Sequence, residues 1–140
     1  MEDKENVLKQ SHLRVETDFK AMPAILDWFE EFTDGLLQKQ MVSHCQLALA
    51  EYFTSVVRHI HQDLPPTTPI EIELKLFADC LEMRVWERGI SFSSLADLLA
   101  HLTEGRIIYY VPILMDELYY SRLPDGRNCL VMRKILIKNT

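Results

Sequence analysis

Apolar and polar positions recur along this chain with periods that change from segment to segment, and those changes mark out its elements. From His12 to Asp18, Leu13 and Val15 alternate with Arg14 and Glu16, the two-residue period of a short strand. From Ala21 to about Lys39 the period lengthens. Ile25, Trp28, Phe29, Phe32 and Leu36 recur at three and four, which predicts an amphipathic helix with Pro23 in its first turn, where a missing N–H costs little. The aromatic stripe Trp28, Phe29, Phe32 is expected in the core, although the same apolar surplus would permit a homodimer.

A second helix is predicted from about Val42 to His61, with Ser43 as its N-cap and Cys45, Leu49, Tyr52, Val56 and Ile60 as its apolar stripe. It should stop before Leu64-Pro65-Pro66, because a residue preceding proline is pushed out of helical geometry. Ile70 to Phe77 then alternates strictly, with Ile70, Ile72, Leu74 and Leu76 on one face and Glu71, Glu73 and Lys75 on the other. Leu81 to Trp86 repeats the pattern, and the short Ala78-Asp79 link makes the two a hairpin. A helix over Ser94 to Leu102 follows. A second hairpin has a strand near Leu118 to Ser121, a turn at Pro124-Asp125-Gly126 and a strand from Cys129 to Ile137. Ile107 to Asp116 is ambiguous, strand by its Ile, Tyr and Val content and helix by the spacing of Ile107, Tyr110 or Val111, and Leu114. This order gives one α+β domain over residues 1–140: a two-layer sandwich, with helices on one face of a mixed, mostly antiparallel sheet.

Composition narrows the class without altering that picture. With 48% hydrophobic residues and only 4 glycines in 140, the chain is globular rather than disordered. A net charge of −6 argues against non-specific nucleic-acid binding, and the late basic residues Arg122, Arg127, Arg133, Lys134 and Lys138 read as a solvated strand face. Cys45, Cys80 and Cys129 are odd in number and widely spaced, so buried free thiols in a reducing compartment are expected. The polar, acidic Met1 to Asn6 is unlike a secretory signal. The longest apolar run, Ile107 to Met115, is too short to span a bilayer. A cytoplasmic protein without membrane contact is expected.

Candidate chemistry centres on the second helix. Glu51, Ser55 and His59 stand at i, i+4 and i+8, one polar ridge about 100° from the apolar stripe, where a helix meets the rim of a cleft. Downstream, a strand runs out into Glu87-Arg88-Gly89, followed by Ser91-Phe92; a carboxylate at a strand end beside a glycine suits a ligand's amino group. His44, His61 and His101 show no partner pattern and read as ordinary surface or boundary residues.

In this order, these features resemble the GHKL (histidine-kinase-like) ATPases of Bergerat-type fold, in particular the bacterial anti-sigma factors with serine kinase activity of the RsbW and SpoIIAB type. Leu47-Ala48-Leu49-Ala50-Glu51, with Ser55 and His59 beyond it, is similar to that family's N-box helix, which has asparagine where Ser55 stands. Glu87-Arg88-Gly89 with Phe92 resembles its Asp-x-Gly box, and Ile113-Leu114-Met115-Asp116-Glu117-Leu118 resembles its helix ending in Leu-Met-Asp-Glu-Val. Cys129 to Lys134 falls where the family has Val-x-Met-x-Lys, so the resemblance runs from about Arg14 to Ile137 and implies that Ile107 to Asp116 is helical.

The resemblance implies ATP with Mg2+ as cofactors, Glu51 as the group that polarises the attacking hydroxyl, and Ser55 at the metal position. It also implies nucleotide contacts from Ser55, His59, Glu87, Gly89, Phe92, Gly105 and Arg106. Three departures bear on activity. Ser55 is shorter than asparagine, Glu87 is one methylene longer than aspartate, and the glycine-rich phosphate turn is reduced to Gly105 followed by Arg106-Ile107-Ile108. Three functions follow from this reading. One is a partner-switching regulator that holds a sigma factor or a STAS-domain antagonist, with weak or lost ATP binding. The second is an active serine/threonine kinase that phosphorylates such an antagonist. The third is a structural or dimerisation domain.

Overall fold

Strands β2 (Pro69–Leu76) and β3 (Cys80–Glu87) pair antiparallel, with Leu74 opposite Met83 and Ile72 opposite Val85. This is the register that puts both alternating apolar sets on one face. The structure, a computed structural model, describes residues 6–104 and 108–136. Strand β1 (Lys9–Glu16) flanks β2, while β5 (Asn128–Ile135) flanks β3 and carries β4 (Glu117–Arg122) at the far edge. The sheet order is β1-β2-β3-β5-β4. Every pairing in it is antiparallel, which is simpler than the mixed sheet expected from the sequence.

The helices form the second layer. Helix α1 (Met22–Thr33), preceded by a 3-10 turn at Phe19–Ala21, buries Ile25, Phe29 and Phe32. Trp28 is half-buried and donates from Nε1 to Ser11 Oγ at 2.8 Å, so the aromatic stripe faces inward. The helix is shorter than its periodicity suggested. It ends at Asp34, whose ψ of 126° is extended, and Gly35 takes a left-handed φ of 72°. Leu36 therefore lies outside it and is exposed.

Helix α2 (Lys39–Ser55) starts earlier than expected. Gln38 is its N-cap, without a side-chain bond to the first-turn amides, and Ser43 lies inside the helix rather than capping it. It buries Cys45, Ala48, Leu49, Tyr52 and Phe53 against Ile70, Ile72, Leu74, Met83 and Val85 of the sheet. Its last turn, Val56–Ile60, is π-helical. Helix α3 (Leu95–Glu104) buries Leu98 and Leu102. Helix α4 (Tyr110–Leu114) confirms helical geometry within the ambiguous segment and buries Val111.

The opposite sheet face is a lattice of charges. Arg84 meets Glu82 at 2.7 Å, Arg133 meets Glu82 and Glu117 at 3.3 Å each, and Arg127 meets Glu71 at 2.9 Å. Of the late basic residues, Arg127, Arg133 and Lys134 thus lie in local ion pairs, Arg122 does not among the described residues, and Lys138 lies outside them. Among the described residues, no helix is long and apolar enough to cross a membrane.

Candidate functional site

Glu51 leaves the middle of α2 towards α4, and its carboxylate is fully engaged there. Oε2 accepts from the amides of Tyr109 at 2.8 Å and Tyr110 at 3.0 Å; Oε1 accepts from Tyr110 at 2.8 Å and Val111 at 2.9 Å. These are the free N–H groups that open any helix, and an anionic side chain from a neighbouring helix satisfies them here. A carboxylate offers about four lone-pair sites. Three N–H groups make these four contacts, with the Tyr110 amide shared between the two oxygens, so in this arrangement the residue acts as a cap.

One turn later, Ser55 is buried, and its hydroxyl donates to the Glu51 carbonyl at 2.9 Å, the back-bond of a helical serine. The donating hydroxyl keeps lone pairs that could ligate a metal, but the residue is only 1% exposed and lies against its own helix backbone. His59 follows in the π-helical turn Val56–Ile60. It lines a cleft of about 350 Å3 with Ile90, Phe92, His101 and Leu102. The Phe92 and His101 rings lie 5.2 Å apart in that cleft, and the Phe92 amide donates to Tyr120 Oη at 3.2 Å.

Glu87, the last residue of β3, is buried in a polar network. Its Oε1 accepts from the Gly89 amide at 2.6 Å and from Asn128 Nδ2 at 3.3 Å, and Oε2 has no protein partner among the described residues. The Tyr52 hydroxyl, also buried and without a partner there, has its pKa pushed well above the ordinary value by burial, with the Glu87 carboxylate adding to the shift. Asn128 stands directly across the ladder from Glu87 and also donates to the Gly89 carbonyl at 3.0 Å. Gly89 is required by space. A Cβ there would fall 2.5 Å from Ile60 Cγ2 and 2.6 Å from the Ile60 carbonyl oxygen.

His61 departs from its sequence reading as a surface or boundary residue: it is only 1% exposed. Thr17 Oγ1 donates to the Thr68 carbonyl at 2.7 Å, so it receives the proton of His61 Nδ1 at 2.8 Å. That assigns the Nδ1–H tautomer and leaves Nε2 to accept the Arg88 amide at 2.9 Å. Glu87 Oε1 lies 3.6 Å from the same nitrogen. Sequence reasoning missed His61, Thr17 and Asn128. The contacts that matter lie 44 residues away for His61 and across a strand register for Asn128, and neither has a local signature. Gly105 and Arg106, assigned to the phosphate turn, lie outside the described residues. Glu51 therefore meets α4 with Ser55 bonded to its carbonyl, Glu87 and Gly89 meet His61 and Asn128, and His59 and Phe92 line one cleft. Among the described residues, no three His, Cys, Asp or Glu side chains are grouped to hold a metal.

A long helix packed across a five-stranded antiparallel sheet, with a buried carboxylate at a strand end, defines a two-layer α+β sandwich. The sequence pattern of the histidine kinase-like ATPase domain matches residues 15–134, and the chain belongs to that family. No curated protein matches at the same stringency. Among solved structures, it is similar to the RsbU and RsbW domains of Rv1364c from Mycobacterium tuberculosis. The TM-score is 0.67 at 11% identity, over 94% of this chain and 35% of that one. At that identity the likeness is one of fold, and the chain spans about a third of the relative's length.

Proposed function

We propose that this chain is a cytoplasmic regulator that acts by partner switching, holding a sigma factor or a STAS-domain anti-sigma antagonist through surface contacts, with weak or lost binding of Mg-ATP. The observation that carries this reading is the Glu51 carboxylate, both of whose oxygens are engaged by the amides of Tyr109, Tyr110 and Val111. A general base in phosphoryl transfer needs a lone pair facing the attacking hydroxyl. The back-bonded Ser55 supports the same reading, because the hydroxyl at the metal position serves its own helix.

Family membership and the retained glycine at the strand end favour a second reading, an active serine/threonine kinase whose Glu51 releases its amides when nucleotide enters. Calorimetric titration with Mg-ATP separates the two. The regulator reading expects a dissociation constant weaker than micromolar and no transfer of label from ATP to a STAS-domain substrate. A sub-micromolar constant, more than about 8 kcal/mol of binding, would overturn it.

A further inference from the structure

The cleft that His59 lines does not end at Phe92. His59, Ile60, Gln62 and Ile90 also line an adjoining opening of about 510 Å3, so the two form one trough. Ile90, shared by both, is 82% exposed, the most exposed large apolar residue described. The ends differ in chemistry. One is aromatic and apolar, with Phe92 and His101 in ring contact over buried Leu102. The other is walled by Arg88, Gly89, Ser91 and Arg122, with Asp63 as its one carboxylate.

The cationic end is anchored from beneath. Arg122 Nη1 donates to Ser91 Oγ, Ser91 donates to Asn128 Oδ1, and Asn128 donates to Glu87. One N–H of Arg122 is used in this relay, and the rest of its planar fork is available to a carboxylate. Among the described residues, neither Arg88 nor Arg122 belongs to an ion pair. This is unlike Arg84, Arg127 and Arg133, which all do.

We propose that this trough is the docking site for an acidic, partly apolar peptide segment of a partner protein. A leucine or phenylalanine side chain of the segment packs beside Ile90 in the Phe92–His101 end, and a neighbouring carboxylate is paired by Arg122 and Arg88. The charge balance selects that occupant. At a net charge of −6 the protein repels an acidic partner over most of its surface, so such a segment is held only where two unpaired guanidinium groups adjoin an apolar surface. The proposal rests on the reading of the chain as a partner-binding regulator and names the surface it uses.

The test is an amide NMR titration of the full chain with capped hexapeptides that carry one Phe or Leu flanked by Asp and Glu. The expected result is a set of shifts confined to Gly89, Ile90, Ser91, Phe92 and His101 that weaken as salt rises. Arg88→Glu with Arg122→Glu should weaken the affinity about tenfold or more, while Lys20→Glu with Lys39→Glu, the same charge change elsewhere, leaves it alone. Peptides with Asn and Gln in place of the acids should lose binding to the same degree, a comparison that needs no variant to fold. A silent panel, shifts that survive the charge reversal, or amide peptides that bind equally well would each overturn the docking site. Those outcomes leave the regulator reading standing, whereas tight Mg-ATP binding in the separate calorimetric titration would overturn that reading and not these shifts.

Discussion

The carboxylate of Glu51 on α2 brackets the amide of Tyr110, with Oε1 at 2.8 Å and Oε2 at 3.0 Å, across 59 residues of sequence. Helix α4 has only five residues and no capping side chain of its own, and isolated turns of that length do not persist in water. The contact therefore supplies what the local sequence lacks. It also explains how a segment rich in Ile, Tyr and Val is helical against its propensity, because the start of the helix is set by a charge from another helix.

Replacing that charge should be felt as a loss of stability. Glu51→Ala leaves the amides of Tyr109, Tyr110 and Val111 without their acceptor and is expected to cost about 1–3 kcal/mol in denaturant unfolding, since part of the cap is solvent-exposed. Glu51→Gln keeps one acceptor oxygen and should cost less. Hydrogen exchange at those three amides should speed up in both variants. Unchanged stability and exchange in Glu51→Ala would mean that the carboxylate is free, as a catalytic base requires.

The hairpin core makes a second, independent prediction. Leu74 lies at the centre of β2 with no exposed surface, opposite Met83 and beneath the α2 stripe. Leu74→Ala should cost about 2–5 kcal/mol, read from the shift of the unfolding midpoint at constant m-value. A loss below about half a kcal/mol is typical of surface sites and would contradict the register.

What the sequence revealed and what it concealed divide along physical lines. Strict alternation from Ile70 to Leu76 located β2, because a period of two has one solution once a face is buried. The α1 terminus was also legible, but in Gly35 rather than in the apolar period that carried the expected helix on through Leu36. The start of α2 had no capping side chain to announce it. The π-helical turn that carries His59 had no signal in the regular spacing, which assumes one angular step throughout. His61, Thr17 and Asn128 form their network only after β1, β3 and β5 are in register, so each looks ordinary in its own segment.

The buried thiols Cys45 and Cys129 make stability fall as pH rises into the alkaline range. Burial pushes the Cys45 thiol up to about 12, with Lys134 pulling part of the way back, and burial likewise pushes Cys129 up to about 11. Between about pH 9 and those values the unfolded chain releases a proton that the folded chain keeps. The stabilising contribution is therefore complete below about pH 9 and is lost as pH rises, with a slope near 1.4 kcal/mol per pH unit for each group. Denaturant unfolding at pH 7, 9 and 10 should show that decline. Cys45→Ala should be shallower between pH 9 and 10, whatever its stability at pH 7. Parallel slopes for the parent and the variant would show that Cys45 titrates alike in both states.

The contact between Gly89 and Ile60 makes the sharpest prediction, because it involves backbone as well as side chain. A Cβ at Gly89 would meet Ile60 Cγ2 at 2.5 Å and the Ile60 carbonyl oxygen at 2.6 Å, and real Cβ atoms essentially never come that close. The first clash could be relieved by trimming the side chain. The second could not, because the carbonyl belongs to the π-helical turn that also presents His59. Gly89→Ala should therefore destabilise the fold by about 1–3 kcal/mol, the range for overpacking a filled site. Ile60→Ala should carry its own cost from lost packing and fail to rescue Gly89→Ala in the double variant. The readout is a double-mutant cycle in denaturant, with the amide shifts of Arg88 and His59 as a local probe. If the double variant recovers to the stability of Ile60→Ala alone, only the side chain was in the way. The strand end and the π-helical turn are then not locked together through their backbones.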